Sequence, residues 1–339
     1  MGEKAERLVY FDGEFVKESE ARVSIYDSAL MFGDVVFEMM RTFNGEQWRL
    51  REHLERLYTG VRILRIPLEM PIEEMENLVH ETVKKNTPAF REDDEHRVLI
   101  NVTRGLLSLY HGIDGIEPGP KVIIADFPLR WTIQGISKLL DTGVNLVVPS
   151  QRAIPAHLME PKIKNRSRLF YLMGNIEASL FKGDNNWALL LDTDGYIAEG
   201  TGTNFFIIKD NVIYTPEGRN ILRGITRETV ISELAPSLNL EVVEKNIETY
   251  DVYTADEAFL TGTPFCLMPA VKLNGLEIGD GKPGPVTASL IQAWSDLVEI
   301  DIIKQIKNWD EDEASDNSPS PYKFNTDKNA TLTMDIAED

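Results

Sequence analysis

The sequence predicts an α/β (α+β) fold in two domains followed by a disordered acidic tail, and three observations carry this. At 339 residues the chain exceeds the size at which one hydrophobic core is comfortable. Short β-rich runs alternate with amphipathic helical stripes. From Asp310 onward the composition turns polar, with nine acids against two lysines and no sustained periodicity.

In chain order, Val9–Val16 alternates around an Asp-Gly pair, the signature of a β-hairpin. Leu50, Leu54, Leu57, Val61 and Leu64 recur at helical spacing and predict a helix over 51–66. Val98–Val102 and Lys121–Ala125 read as strands, which closes a small N-terminal α/β domain at 1–128. Pro128, Gly135 and Gly143 break the periodicity of the next stretch, so 129–140 is expected to be an interdomain loop. A larger domain, 141–305, then opens with a strand at 144–148. Its hairpins turn at Thr193-Asp194-Gly195 and at Asp210-Asn211. Two helices carry apolar stripes expected to be buried: Leu169, Leu172, Met173, Ile176 and Leu180, then Val230, Ile231, Leu234, Ala235 and Leu238. Residues 306–339 are assigned to the tail.

The charge and the cysteine count exclude several functions. A formal charge of -20 disfavours nucleic acid and anionic lipid as partners. No apolar run is long enough to span a bilayer. The single cysteine, Cys266, cannot form an intrachain disulfide, and a cytoplasmic protein is expected. The histidines are scattered, so no metal site is expected. Neither a Walker loop nor a dinucleotide fingerprint is present.

What remains is cofactor chemistry. Lys164 stands just before an amphipathic helix, where a partly desolvated amine could attack an aldehyde, although Lys162 and Lys182 would serve nearly as well. Glu199 ends an otherwise apolar run, YIAE. It could partner a protonated pyridine nitrogen or simply cap the Gly-Thr-Gly backbone that follows. Gly224, Ile225 and Thr226 open a helix whose free amides could bind an anion or need only a cap. Thr261 and Thr263 lie in a small-residue loop that is either a phosphate donor or a tight turn. Arg56, beside its helix's apolar stripe, is a phosphate clamp or a solvated arginine.

In this order and at this spacing, the segments from about Val9 to Leu297 resemble the fold-type IV pyridoxal-phosphate enzymes: branched-chain and D-amino-acid aminotransferases, (R)-amine transaminases and aminodeoxychorismate lyases. The resemblance implies mixed sheets and a homodimer with the active site between the domains. It also implies pyridoxal 5′-phosphate as cofactor. Lys164 matches the lysine that carries the cofactor, Glu199 the acid under the pyridine nitrogen, and Arg56, Ile225, Thr226 and Thr263 the phosphate cup. Asn204 matches an asparagine near the cofactor. Where branched-chain enzymes place a tyrosine to meet the ring oxygen, this chain has Leu169-Phe170-Tyr171, and Arg168 is the candidate replacement.

The resemblance also frames specificity. Phe37, Arg41, Arg97, Thr263 and Pro264 are the substrate-side candidates, and Met39 fills the place of a usual glycine. Arg97, with Leu109 in place of an arginine, favours a branched-chain L-amino acid as donor and 2-oxoglutarate or another 2-oxo acid as acceptor. Arg41 could be a second carboxylate anchor or a structural ion pair. His111 and the VTRG run keep D-amino-acid or (R)-amine transamination open, and a lyase stands behind them.

Overall fold

The computed structural model describes residues 6–110, 112, 118–133 and 135–311. His111 and the tail from 312 lie outside them. Two sheets organise the chain, each with its own core.

The first sheet has six strands: β1 (Leu8–Phe11), β2 (Glu14–Lys17), β3 (Val35–Phe43), β4 (Glu46–Gln47), β5 (His96–Thr103) and β6 (Lys121–Pro128), in the order β2-β1-β6-β5-β3-β4. Every pairing is antiparallel. The first hairpin turns at Asp12 and Gly13, both at positive φ, as an Asp-Gly two-residue loop requires. Helices Leu50–Ile63 and Ile72–Asn86 cover one face; the second of these was not anticipated. Because side chains alternate along a strand, β3 sends Val36 and Met40 into that helix-covered core and Phe37, Met39 and Arg41 to the opposite face.

The second sheet has nine strands: β7 (Val144–Val147), β8 (Asn186–Leu191), β9 (Ile197–Gly200), β10 (Asn204–Lys209), β11 (Val212–Thr215), β12 (Glu241–Glu244), β13 (Glu257–Gly262), β14 (Cys266–Leu273) and β15 (Leu276–Glu277). They run β12-β11-β10-β13-β14-β7-β8-β9, with β15 on β14. Parallel and antiparallel pairs mix, so the α/β reading with mixed sheets holds. A bridge between Gly200 and Thr203 brings β9 back against β10 and curls the sheet.

Three expectations need correction. Residues 129–140 are not a loop: helices Arg130–Ile133 and Ser137–Thr142 occupy the stretch, and Leu129, Ile133 and Leu139 are buried in the second core. Gly135, at φ +83°, separates two short helices rather than abolishing helix. The apolar stripe of helix Leu169–Ser179 faces outward, with Leu169 69% and Leu180 79% exposed. The small residues Gly174 and Ala178 face inward instead, because only they allow the backbone to lie close on β8. Finally, the ordered chain does not stop at 305. Helix Ile302–Glu311 buries Ile306 and Trp309, and Trp309 Nε1 donates to the Asp93 carbonyl at 3.2 Å.

Candidate active site

The bare face of β3 and the turn between β13 and β14 enclose a cavity of about 370 Å³. Phe37, Met39, Arg97, Lys164, Thr263 and Pro264 line it, together with the unforeseen Arg166, Trp131 and Trp187. No carboxylate among the described residues lines it.

Lys164 reaches this cavity from an irregular segment knitted onto β3. The Phe37 amide donates to the Lys164 carbonyl at 2.9 Å and the Arg166 amide to the Val35 carbonyl at 3.1 Å. The lysine is thus held by sheet-like bonds although it lies in no strand. Its ammonium form is disfavoured: burial, then the nearby Arg168 and Arg56 guanidinium groups, pull its pKa well below the usual lysine value. The neutral amine is thus favoured relative to an ordinary lysine, and its Nζ stands 4.9 Å from the Phe37 ring centroid.

Glu199 lies in β9, 5% exposed. Tyr171 Oη donates to Oε1 at 2.5 Å, while the Leu222 amide (3.0 Å) and Asn204 Nδ2 (3.3 Å) donate to Oε2. Burial nonetheless prevails over these donors and pushes its pKa up to about 7. Such an acid stands ready to accept a cationic N–H. Tyr171 as its partner is not visible in the sequence, because 28 positions separate the two residues.

The anion end forms around Gly224. Helix Ile225–Thr229 starts there without any side-chain cap, so its first amides remain available. A Cβ at Gly224 would lie 2.1 Å from Asn204 Oδ1, which is why a glycine stands here. Asn204 Nδ2 also donates to the Leu222 carbonyl at 2.9 Å, fixing the approach to the helix. Arg56 Nη1 donates to the Arg223 carbonyl at 2.9 Å, which brings Arg56 to the same place. Its Nε and Nη2 donate to the fully buried Glu38 at 2.6 and 2.7 Å, and His53 Nδ1 pairs with Glu38 Oε2 at 2.7 Å. Glu38, held ionised by Arg56 and His53 despite its burial, was missed. Its signal was a lone acid inside the apolar run VVFEMM. Thr261, paired across the strands with Asn204, buries an Oγ1 that has no partner among the described residues.

Most expected site residues thus converge on one place, but Arg41 does not. It is 1% exposed and absent from the cavity lining. Its Nε donates to the Thr42 carbonyl at 3.1 Å, Nη1 to the Pro264 carbonyl at 3.1 Å and Nη2 to Gln305 Oε1 at 3.2 Å. Arg41 is a strut under the β13–β14 turn, not a substrate anchor. Arg97 does line the cavity, with Nη2 2.9 Å from Met39 Sδ. Among the described residues no cluster suited to a metal ion occurs.

A phosphorylated pyridine aldehyde requires an amine, an acid for the ring nitrogen, an anion cradle and a slot for the ring. Lys164, Glu199, the Gly224 helix start and the cavity could supply these, and the orphan Thr261 hydroxyl could add a spare donor. Comparison with known proteins points the same way: residues 35–273 match the model of the amino-transferase class IV family. The chain belongs to the class IV aminotransferases. A putative branched-chain-amino-acid aminotransferase of Methanocaldococcus jannaschii is 34% identical over 291 residues, covering 85% of this chain and 96% of that protein. The crystal structure of the T.th. branched-chain amino acid aminotransferase with pyridoxamine 5′-phosphate superposes with a TM-score of 0.77 at 31% identity, covering 87% of this chain and 94% of that one. The same enzyme complexed with N-(5′-phosphopyridoxyl)-L-glutamate gives 0.75 at 30% identity, with the same coverage.

Proposed function

We propose that this class IV aminotransferase moves the amino group of a branched-chain L-amino acid to 2-oxoglutarate or a related 2-oxo acid, with pyridoxal 5′-phosphate as cofactor. The observation that carries the reading is the closeness of Lys164, whose neutral amine is favoured, to Glu199, whose carboxyl has its pKa pushed up to about 7, with Arg168 lining both the cavity that holds the lysine and the adjoining cleft that holds the acid. The kinship with branched-chain enzymes along most of the chain supports the substrate, and the glutamate adduct of a neighbour supports the acceptor.

When bound, the cofactor supplies an electrophilic carbon and a ring able to delocalise the electron pair left on the substrate carbon. In this reading the Lys164 amine would hold the cofactor and, once freed, its Nζ would accept and return the proton that moves during transfer. Glu199 would sit against the pyridine nitrogen and favour its protonated form. The Ile225 and Thr226 amides, the Thr226 and Thr263 hydroxyls and Arg56 would hold the phosphate, while Asn204 keeps the helix start in place. Arg97 binds substrate carboxylate beside the Phe37 ring, and Pro264 packs on the substrate's other side. Met39, bonded to Arg97, narrows this side and favours a compact aliphatic chain.

Two coarser features complete the proposal. The outward stripe Leu169, Leu172, Met173, Ile176 and Leu180, with Leu30 68% and Phe32 64% exposed, is a large apolar surface that a second copy would cover, giving a homodimer. Among the described residues no helix is long and apolar enough to cross a membrane. The free buried thiol of Cys266 suits a cytoplasmic setting.

The test is the protein's visible absorption with L-leucine added, followed by glutamate formation from 2-oxoglutarate. Bleaching of the bound-cofactor band by L-leucine and release of glutamate are expected. Bleaching by a D-amino acid or an (R)-amine alone would overturn the substrate, and loss of amine without any acceptor would replace transfer by elimination.

A further inference from the structure

Arg168 is the cation in the active site whose guanidinium finds no hydrogen-bond acceptor among the described residues. Its neighbours are engaged: Arg166 donates through Nε and Nη2 to Asn101 Oδ1 at 3.2 and 3.0 Å, Arg97 contacts Met39 Sδ, and Arg56 grips Glu38. Arg168 has only ring contacts, its Cζ lying 4.7 Å from the Phe37 centroid and 5.2 Å from that of Tyr171. It lines both the main cavity and the narrow cleft that holds Asn165, Tyr171 and Glu199. A guanidinium presents five N–H donors, and those of the half-buried Arg168 are open to an acceptor that a ligand brings into the cavity.

Resting on the functional reading above, we propose that Arg168 donates to the ring oxygen of the pyridine cofactor, a task that Tyr171, bonded to Glu199, does not take. The placement follows from the connectivity of the pyridine ring. From the nitrogen, held by Glu199, to the carbon facing Lys164, one edge of the ring carries the phosphate arm and the other the oxygen. The phosphate edge belongs to the Gly224 helix start. Arg168 acts electrically on both Lys164 and Glu199, and it stands on the Tyr171 side, so it borders the oxygen edge. Tyr171 cannot serve there because its hydroxyl is spent on Glu199 at 2.5 Å, and Leu169 points outward at 69% exposure. A fixed cation at this oxygen stabilises its anionic form more strongly than a neutral hydroxyl does. The other charged groups around that position are Lys164, Arg166 and Arg97 on the cavity wall, with Glu199, Arg56 and Glu38 beside Lys164.

The experiment is a pH titration of the visible cofactor band in reconstituted wild type, Arg168→Leu and Arg168→Lys. Loss of the charge is expected to move the titration midpoint up by about 1–3 pH units, with Arg168→Lys close to wild type. An unchanged midpoint in Arg168→Leu, with the KM for 2-oxoglutarate raised about tenfold or more, would assign Arg168 to the substrate carboxylate and overturn the proposal. An unchanged midpoint with unchanged KM would overturn it as well. Wild type that binds no cofactor would instead sink the functional reading on which the proposal rests. Thermal unfolding of each variant, run alongside, separates a misfolded protein from a shifted midpoint.

Discussion

Glu199 and Arg41 show how little of a side chain's task is written in its type. Both are buried and both lie in strands, yet one borders the narrow cleft beside the cavity and the other is consumed by protein acceptors. In the cofactor-free protein the folded Glu199 releases its proton near pH 7, against an ordinary 4.5 in the unfolded chain. Its contribution to stability is therefore fully present below the lower value and fades as pH rises to the higher, by on the order of 3 kcal/mol. Glu199→Gln should flatten that part of the melting-temperature profile between the two values, and an unaltered slope would count against it. Arg41→Met should cost about 2–4 kcal/mol in urea unfolding, because buried acceptors lose their donor. The apparent affinity for 2-oxoglutarate measured at low temperature should stay near wild type; a selective loss of that affinity would restore the anchor. Lys164→Ala should abolish the absorption band of the linked cofactor and lower turnover by at least about 10²-fold. Residual turnover close to wild type would point to another lysine.

Elements were legible where one periodicity ran unbroken. The Asp12-Gly13 hairpin, helix Leu50–Ile63 and strand Asn204–Lys209 lie within a few residues of their expected bounds. Failures came from tertiary context. The stripe on helix Leu169–Ser179 is amphipathic, but amphipathicity does not say which side meets β8, and the small residues Gly174 and Ala178 decided it. The site was legible as separate segments, each with a bland alternative. What remained hidden were contacts between distant residues, such as Glu38 with Arg56, Tyr171 with Glu199 and Arg41 with Pro264. At this scale Gly224→Ala makes a sharp test, since the added methyl would collide with Asn204 Oδ1. Weakening of pyridoxal phosphate binding by about tenfold or more, read by equilibrium dialysis, is expected. Unchanged binding would mean that Asn204 moves aside without cost.

For the whole molecule, the outward apolar face sets the expected assembly. Leu172→Asp with Ile176→Asp should leave a species of half the mass in analytical ultracentrifugation, because two charges cannot be buried unpaired in an apolar interface. A dimer that survives the double substitution would place the interface elsewhere. The two cores also differ in how they meet the active site. Lys164 hangs from the first sheet through its bonds to β3, whereas Glu199 and the helix start at Gly224 belong to the second. Whatever fills the slot between them is therefore a bolt through two plates. Emptied, the plates keep only the ties the protein itself supplies, such as Arg41 to Pro264 and Arg56 to Arg223, and calorimetry of the stripped protein should trace a heat-absorption peak broadened toward lower temperature. Filled, they would be driven to let go together in a narrower one.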